Sequence, residues 1–132
     1  METEQKRFIR KTFNDEFMKF VNEVQSLFPD DKFIKKSRDG LELLKKANPK
    51  LVIKIWKEYI VDRYISEIEK GELDFFINKD YNTDVSQANN ANTIIESINR
   101  LREPVRNMGE SNQATAMKYI QQLSKLCQLY FT

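Results

Sequence analysis

The sequence has no histidine and a single cysteine, Cys127, among its 132 residues. Without imidazole the chain lacks the commonest general base, every Ser–His or Cys–His nucleophile pair, and imidazole metal ligands. One cysteine can supply neither a structural zinc cluster nor an internal disulfide bond. These absences favour a non-enzymatic protein of a reducing compartment, with no metal or other cofactor.

Glycine and proline are scarce too, with three residues of each. So few turn-forming residues exclude a sandwich or barrel of many short strands. The three glycines are isolated, so no glycine-rich phosphate loop is present. No apolar run approaches the roughly 18–20 residues that a membrane span needs, and no apolar stretch follows the basic residues at the N-terminus. We therefore expect an all-α protein that is neither membrane-bound nor secreted.

What is present suits one helical domain that covers residues 1–132. Hydrophobic residues make up 40% and charged residues 32% of the chain, and nine phenylalanines supply a large aromatic core. Apolar residues at spacings of three and four predict a compact bundle of about five helices. The first of these helices should start near Thr12, which resembles a capping residue, and end at Pro29. The basic residues before it, within 1–11, either form an arm or extend the helix.

Two further helices are expected before residue 71. Asp30 or Asp31 should cap the second, and Gly40 marks either a break in it or a close helix crossing. Asn48 and Pro49 should then open a central helix over about 49–70, ended by Gly71. The apolar residues of this helix cover more than one face, so we expect it to pack on several sides.

The rest of the chain predicts a polar loop and two helices. Residues 82–92 consist of short polar side chains and should form a mobile loop. A helix should follow, opened by Thr93 and ended or kinked by Pro104, and Ser111 should cap the last helix. The predicted core contains ten residues drawn from these helices: Phe17, Phe20, Val24, Ile55, Trp56, Tyr59, Ile60, Ile98, Ile120 and Leu123. Trp56 and Tyr59 suit this core better than a ligand platform, and Cys127 suits it better than a reactive thiol.

Charge is distributed in blocks along the chain. Residues 32–57 carry nine basic and two acidic residues, whereas residues 58–84 carry three basic and eight acidic ones. Within the basic block, four lysines recur at helical spacing and are here named the lysine ridge: Lys46, Lys50, Lys54 and Lys57. With no acidic residue between Glu42 and Glu58, nothing local should neutralise them. The ridge either solvates the helix surface or binds phosphates or carboxylates, and it could face the acidic block within the molecule or on a neighbour. Arg102 and Arg106 form a smaller candidate site.

Three segments of the chain resemble a small all-helical protein family encoded by giant (nucleocytoplasmic large) DNA viruses of protists. They are residues 48–56 (NPKLVIKIW), 75–81 (FFINKDY) and 98–109 (INRLREPVRNMG). The resemblance extends from about Phe13 to Thr132. It implies a viral protein made in the host cytoplasm, acting in the viral factory or packaged in the virion. It implies no role for any single residue.

The sequence therefore predicts a non-enzymatic helical interaction protein, with another protein or a second copy as its partner. The alternative is a sequence-independent nucleic-acid-binding module that uses the lysine ridge. A weaker alternative is a small enzyme built on Asp, Glu, Lys and Tyr alone. No small-molecule substrate is identified.

Overall fold

The structure, a computed structural model, describes residues 2–79 and 103–132, and this part of the chain is helical with no strand. The helices are α1 (Glu4–Leu27), α2 (Lys32–Ala47), α3 (Leu51–Trp56), a π-helical turn (Lys57–Val61), α4 (Asp62–Lys70), α5 (Leu73–Asn78) and α6 (Glu110–Tyr130). Residues 103–107 form one more helical turn. The all-α prediction is confirmed. In the described ranges, every helix is too short or too polar to cross a membrane. The loop predicted at 82–92 and the helix start at Thr93 lie outside them.

Helix α1 begins earlier than the sequence pattern indicated. Thr3 caps it, because its hydroxyl oxygen accepts a hydrogen bond from the Lys6 backbone at 3.1 Å. The basic residues before Thr12 therefore extend the helix and do not form a separate arm. The capping box predicted at Thr12 is wrong: its hydroxyl donates to the Phe8 carbonyl at 2.9 Å in the helix interior. The helix ends at Leu27, before Pro29, as predicted.

Helix α2 is continuous from Lys32 to Ala47. Asp31 Oδ1 accepts hydrogen bonds from the backbone amides of Phe33 and Ile34, the second and third residues of the helix, at 3.0 and 3.1 Å, which confirms it as the cap. Gly40 lies inside the helix, and no atom approaches within 4 Å of the position that a Cβ would occupy. The helix thus neither breaks at Gly40 nor crosses another element closely there.

The central helix consists of α3, the π-helical turn and α4, and covers residues 51–70. The predicted cap at Asn48 is wrong, because the Asn48 backbone completes α2 by donating to the Leu44 carbonyl at 2.8 Å. Gly71 ends the central helix as predicted, with a left-handed φ of 73°. Its amide and that of Glu72 donate to carbonyls of the last turn, the pattern of a Schellman cap.

Helix α6 also starts differently from the prediction, because Gly109 occupies its capping position and Ser111 lies in its first turn. The helix packs antiparallel to α1, since Tyr119 reaches Glu23 while Tyr130 reaches Glu2. The central helix contacts α1, α2 and α6, so it packs on several sides as expected.

The core consists of two buried clusters. The larger contains Phe13, Ile53, Trp56, Val61, Leu123 and Cys127, and the smaller contains Tyr64, Ile68 and Met117. Ile60 and Ile120 pack against both, so the clusters are joined. Trp56 is 8% exposed and meets the rings of Phe13 and Phe17 edge-on, at 5.9 and 6.1 Å between centroids.

One predicted core residue is wrongly placed. Ile55 is 43% exposed. The core face of α3 is set by Ile53 and Trp56, and a residue two positions after Ile53 is rotated by about 200° around the helix axis. Leu123 is fully buried, and seven other members of the predicted core are described as buried or half-buried. Ile98 lies outside the described residues.

Candidate functional site

The lysine ridge follows the end of α2 and the start of the central helix. Lys46 lies in the last turn of α2, Lys50 precedes α3, and Lys54 is one turn further on. All three side chains are exposed, and within residues 2–79 and 103–132 their ammonium groups form no ion pair. Lys50 and Lys54 are four residues apart, so they share a face of the helix.

Lys57, the fourth lysine of the ridge, is neutralised locally. Its Nζ lies 2.5 Å from Asp62 Oδ1 and 5.8 Å from the centroid of the Phe131 ring. The expectation that no nearby acid neutralises the ridge is therefore wrong for Lys57. The π-helical turn brings Asp62, five residues later, to the same side of the helix. The other three lysines of the ridge have no ion-pair partner in the part of the chain that the structure describes.

Exposed aliphatic side chains flank these lysines. Leu43 is 69% exposed and lies three residues before Lys46, on the same face of α2. Ile55 is 43% exposed and directly follows Lys54. The ridge therefore presents both positive charge and apolar surface.

A buried asparagine holds the turn that carries the ridge. Asn14 of α1 is 6% exposed, and its Nδ2 donates to the Pro49 carbonyl at 2.9 Å. This bond joins α1 to the turn between α2 and α3, directly before Lys50. Sequence reasoning missed Asn14, because a polar residue beside an apolar helical stripe gives no signal of a partner 35 residues away.

Lys50 also lies near a hydrogen-bonded carboxylate. Arg10 donates from Nε and Nη2 to the two oxygens of Glu2, at 3.0 and 3.1 Å, and the Tyr130 hydroxyl donates to the same carboxylate. These hydrogen bonds, first from Arg10 and then from Tyr130, lower the pKa of Glu2 to about 2, with a smaller contribution from the positive charge of Lys50. Among the described residues, Arg10 forms the ion pair with Glu2, and Lys50 acts on this carboxylate only through its charge.

The smaller candidate site is described only in part. Arg106 Nη2 donates to the Ile77 carbonyl at 3.3 Å and to Asn78 Oδ1 at 3.5 Å, and Nη1 lies 3.4 Å from Glu103. Arg106 thus connects residues 103–107 to the end of α5. Arg102 lies outside the described residues.

An open cleft of about 450 Å³ lies between the turn after the central helix and the start of α6. Three exposed carboxylates line this acidic cleft, those of Glu72, Asp74 and Glu110, together with the less exposed apolar side chains of Leu73, Phe75 and Met117. Within the described parts of the chain, none of the three carboxylates forms an ion pair. The charge pattern indicated the acidic block, but it gave no sign that Glu110 joins it.

Two kinds of chemistry can be assessed from the described side chains, metal binding and thiol reactivity. Among residues 2–79 and 103–132, no group of three or more Cys, Asp or Glu side chains is arranged to hold a metal ion. Cys127 is fully buried, as predicted, and its Sγ donates to the Ile53 carbonyl at 3.4 Å. Loss of solvation raises the pKa of this thiol to about 12, so it is protonated at neutral pH.

Comparison of the chain with models of known protein families, with curated proteins and with solved structures finds no match.

Proposed function

We propose that the protein is a non-catalytic helical binding module, and that its lysine ridge docks onto an acidic surface of a protein partner. The observation that carries this proposal is the exposure of Lys46, Lys50 and Lys54 with no ion pair among the described residues. These cations lie on two helices joined by a turn that Asn14 fixes. A binding surface held in this way loses little conformational freedom when a partner docks.

The apolar neighbours of the ridge favour a protein partner. Protein interfaces combine an apolar centre with charged groups at the rim. Leu43 and Ile55, both more than 40% exposed, supply apolar surface beside the lysines. Opposite charges speed the encounter and fix its orientation, while burial of these aliphatic groups contributes affinity.

Sequence-independent binding of nucleic acid is the second candidate function. It is supported by the same exposed ammonium groups, because lysines on an exposed helix can bind phosphates whatever the base sequence. Three phosphate contacts would give a slope of about −3 in the logarithm of the association constant against the logarithm of the salt concentration.

The resemblance to the protein family of giant DNA viruses suggests where such a module would act. We propose a role in virion assembly or in the viral factory of the host cytoplasm. Co-sedimentation of the protein with purified particles, in a fixed ratio to the capsid protein, would support this role. A protein restricted to the particle-free fraction would contradict packaging in the virion and would leave the viral factory as its site of action.

Charge reversal on the ridge tests the proposed function. We expect Lys50→Glu/Lys54→Glu to keep its helical circular dichroism spectrum, because exposed charges contribute less than about 1 kcal/mol each to stability. Its affinity for poly-L-glutamate, measured by fluorescence anisotropy at 50 mM salt, should fall at least tenfold. Double-stranded DNA is the second probe. If the wild type binds DNA more tightly than poly-L-glutamate, and the logarithm of its association constant falls with the logarithm of the salt concentration with a slope near −3, nucleic-acid binding is favoured over protein binding.

The matched control is Lys118→Glu/Lys125→Glu, which makes the same charge change on two exposed lysines of α6. This variant should bind poly-L-glutamate more tightly than the ridge variant does. Equal losses in both variants would show that total charge decides the binding, and the proposed docking surface would then be wrong.

A further inference from the structure

The molecule carries opposite charges at the two ends of its central helix. Lys50 directly precedes this helix, and Gly71 and Glu72 of the acidic cleft directly follow it. Twenty helical residues span about 30 Å. Lys50 and the acidic cleft therefore lie roughly 30 Å apart.

Neither charged surface can neutralise the other within one molecule. At physiological salt, electrostatic attraction is screened over about 8 Å, far less than the distance between the two surfaces. The structure agrees, because in the described ranges neither the three free ridge lysines nor the three cleft carboxylates form an ion pair. Both surfaces are left for an intermolecular contact.

The two surfaces are complementary in apolar character as well as in charge. The ridge adds exposed Leu43 to its lysines, and the cleft adds the half-buried Leu73 and Phe75 to its carboxylates. From this complementarity we infer that the acidic partner of the lysine ridge is the acidic cleft of a second copy of this chain. The inference rests on the proposed function, since it identifies the partner of the same ridge.

A single contact joins the lysine ridge of one copy to the acidic cleft of the other. It leaves the cleft of the first copy and the ridge of the second copy unoccupied. Two copies placed antiparallel satisfy both contacts at once and form a closed pair. Copies that meet in any other orientation continue as a ring or a chain. In every case the association weakens as salt rises, because charge pairs contribute to it.

Sedimentation velocity with charge-swapped variants tests this inference. We expect wild-type protein to associate at 50 mM salt and to dissociate at 500 mM salt. The ridge variant Lys50→Glu/Lys54→Glu and the cleft variant Glu72→Lys/Glu110→Lys should each associate at least tenfold more weakly. An equimolar mixture of the two should associate again, because each surface of one variant then meets a surface of opposite charge on the other.

Two controls keep this test decisive. Lys118→Glu/Lys125→Glu should associate like the wild type. If Glu72→Lys/Glu110→Lys fails to fold, Glu72→Gln/Glu110→Gln replaces it, since it removes two of the three cleft charges and should also associate more weakly than the wild type. A wild type that stays monomeric at 50 mM salt, or a mixture that does not associate, overturns the inference. The proposed function then still stands if the ridge variant loses poly-L-glutamate binding, and it falls if that binding is kept.

Discussion

Trp56 is the largest aromatic side chain of the core, and its indole N–H donates a hydrogen bond to a residue of another helix. Its Nε1 donates to Ser124 Oγ at 3.0 Å, and Ser124 is fully buried. Burial of an indole N–H without an acceptor costs free energy, because the group has lost its hydrogen bond to water. This contact joins the central helix to α6.

We expect Ser124→Ala to lower the free energy of unfolding by about 1–3 kcal/mol, as measured by urea denaturation. The exposed Ser66→Ala on α4 is the matched control and should change the stability by less than about 0.5 kcal/mol. In a Trp56→Phe background, which has no indole N–H, the effect of Ser124→Ala should shrink. An unchanged effect in that background would show that the hydrogen bond is not the cause.

The burial of residues on regular helical faces could be predicted from the sequence, whereas the hydrogen-bond acceptors of buried side chains could not. The positions of Trp56, Leu123 and Cys127 follow from apolar spacing, and the structure buries all three. The acceptor of the Trp56 N–H lies 68 residues away along the chain, and the Asn14 acceptor lies 35 residues away. Such pairs depend on how helices pack together, which local spacing does not record.

At the scale of the element, the central helix shows why a uniform helical period fails. Its buried residues are 53, 56, 61, 64 and 68, with one step of five between Trp56 and Val61. The π-helical turn accommodates that step, because its hydrogen bonds close over five residues, as from the Asp62 amide to the Lys57 carbonyl. At a constant 3.6 residues per turn, Val61 would lie about 140° from Trp56 around the helix axis, so the wider π-helical turn brings these two buried residues closer to one face.

Gly40 and Gly71 should respond in opposite ways to substitution by alanine. Gly71 has a positive φ of 73°, where a Cβ is strained, so we expect Gly71→Ala to lower the free energy of unfolding by about 1–2 kcal/mol. Gly40 lies in α2 with open space around it, so Gly40→Ala should raise it by about 0.5–1 kcal/mol. Urea denaturation of both variants measures the change in the free energy of unfolding relative to the wild type. A Gly71→Ala variant that is more stable than the wild type would contradict the left-handed cap.

At the scale of the whole molecule, the Glu2 carboxylate joins the beginning of α1 to the end of α6 through Arg10 and Tyr130. The pKa of Glu2 falls from 4.5 to about 2 in the folded protein, so the native state favours the ionised form. The resulting stabilisation is fully present above about pH 4.5 and is lost as the pH falls towards 2.

We therefore expect Glu2→Gln to be less stable than the wild type at pH 7, with the difference decreasing between about pH 4.5 and pH 2. Urea denaturation at pH 7, 4 and 3 measures this change. The exposed Glu69→Gln on α4 is the control and should unfold close to the wild-type urea concentration at pH 7. A stability difference for Glu2→Gln that stays constant over this pH range would contradict the ionised contact.

The all-α fold class and the charge blocks of the molecule were predictable. Apolar spacing indicates the fold class, and the order of charged residues along the chain gives the blocks. The acidic cleft was not, since Glu110 reaches Glu72 and Asp74 only through the packing of α6 against the central helix. The paired state of Lys57 was also missed, because Asp62 lies five residues away and needs the π-helical turn to approach it.

Cys127 has a consequence for experiments that follow motion in this protein. Its thiol is enclosed between α6 and the central helix and stays protonated at neutral pH, so a thiol reagent can modify it only while the core is open. As the chain has no other cysteine, each modification event records one such opening. When the reagent is concentrated enough for alkylation to outpace reclosing, the rate of alkylation equals the rate at which the core opens, and no label has to be introduced.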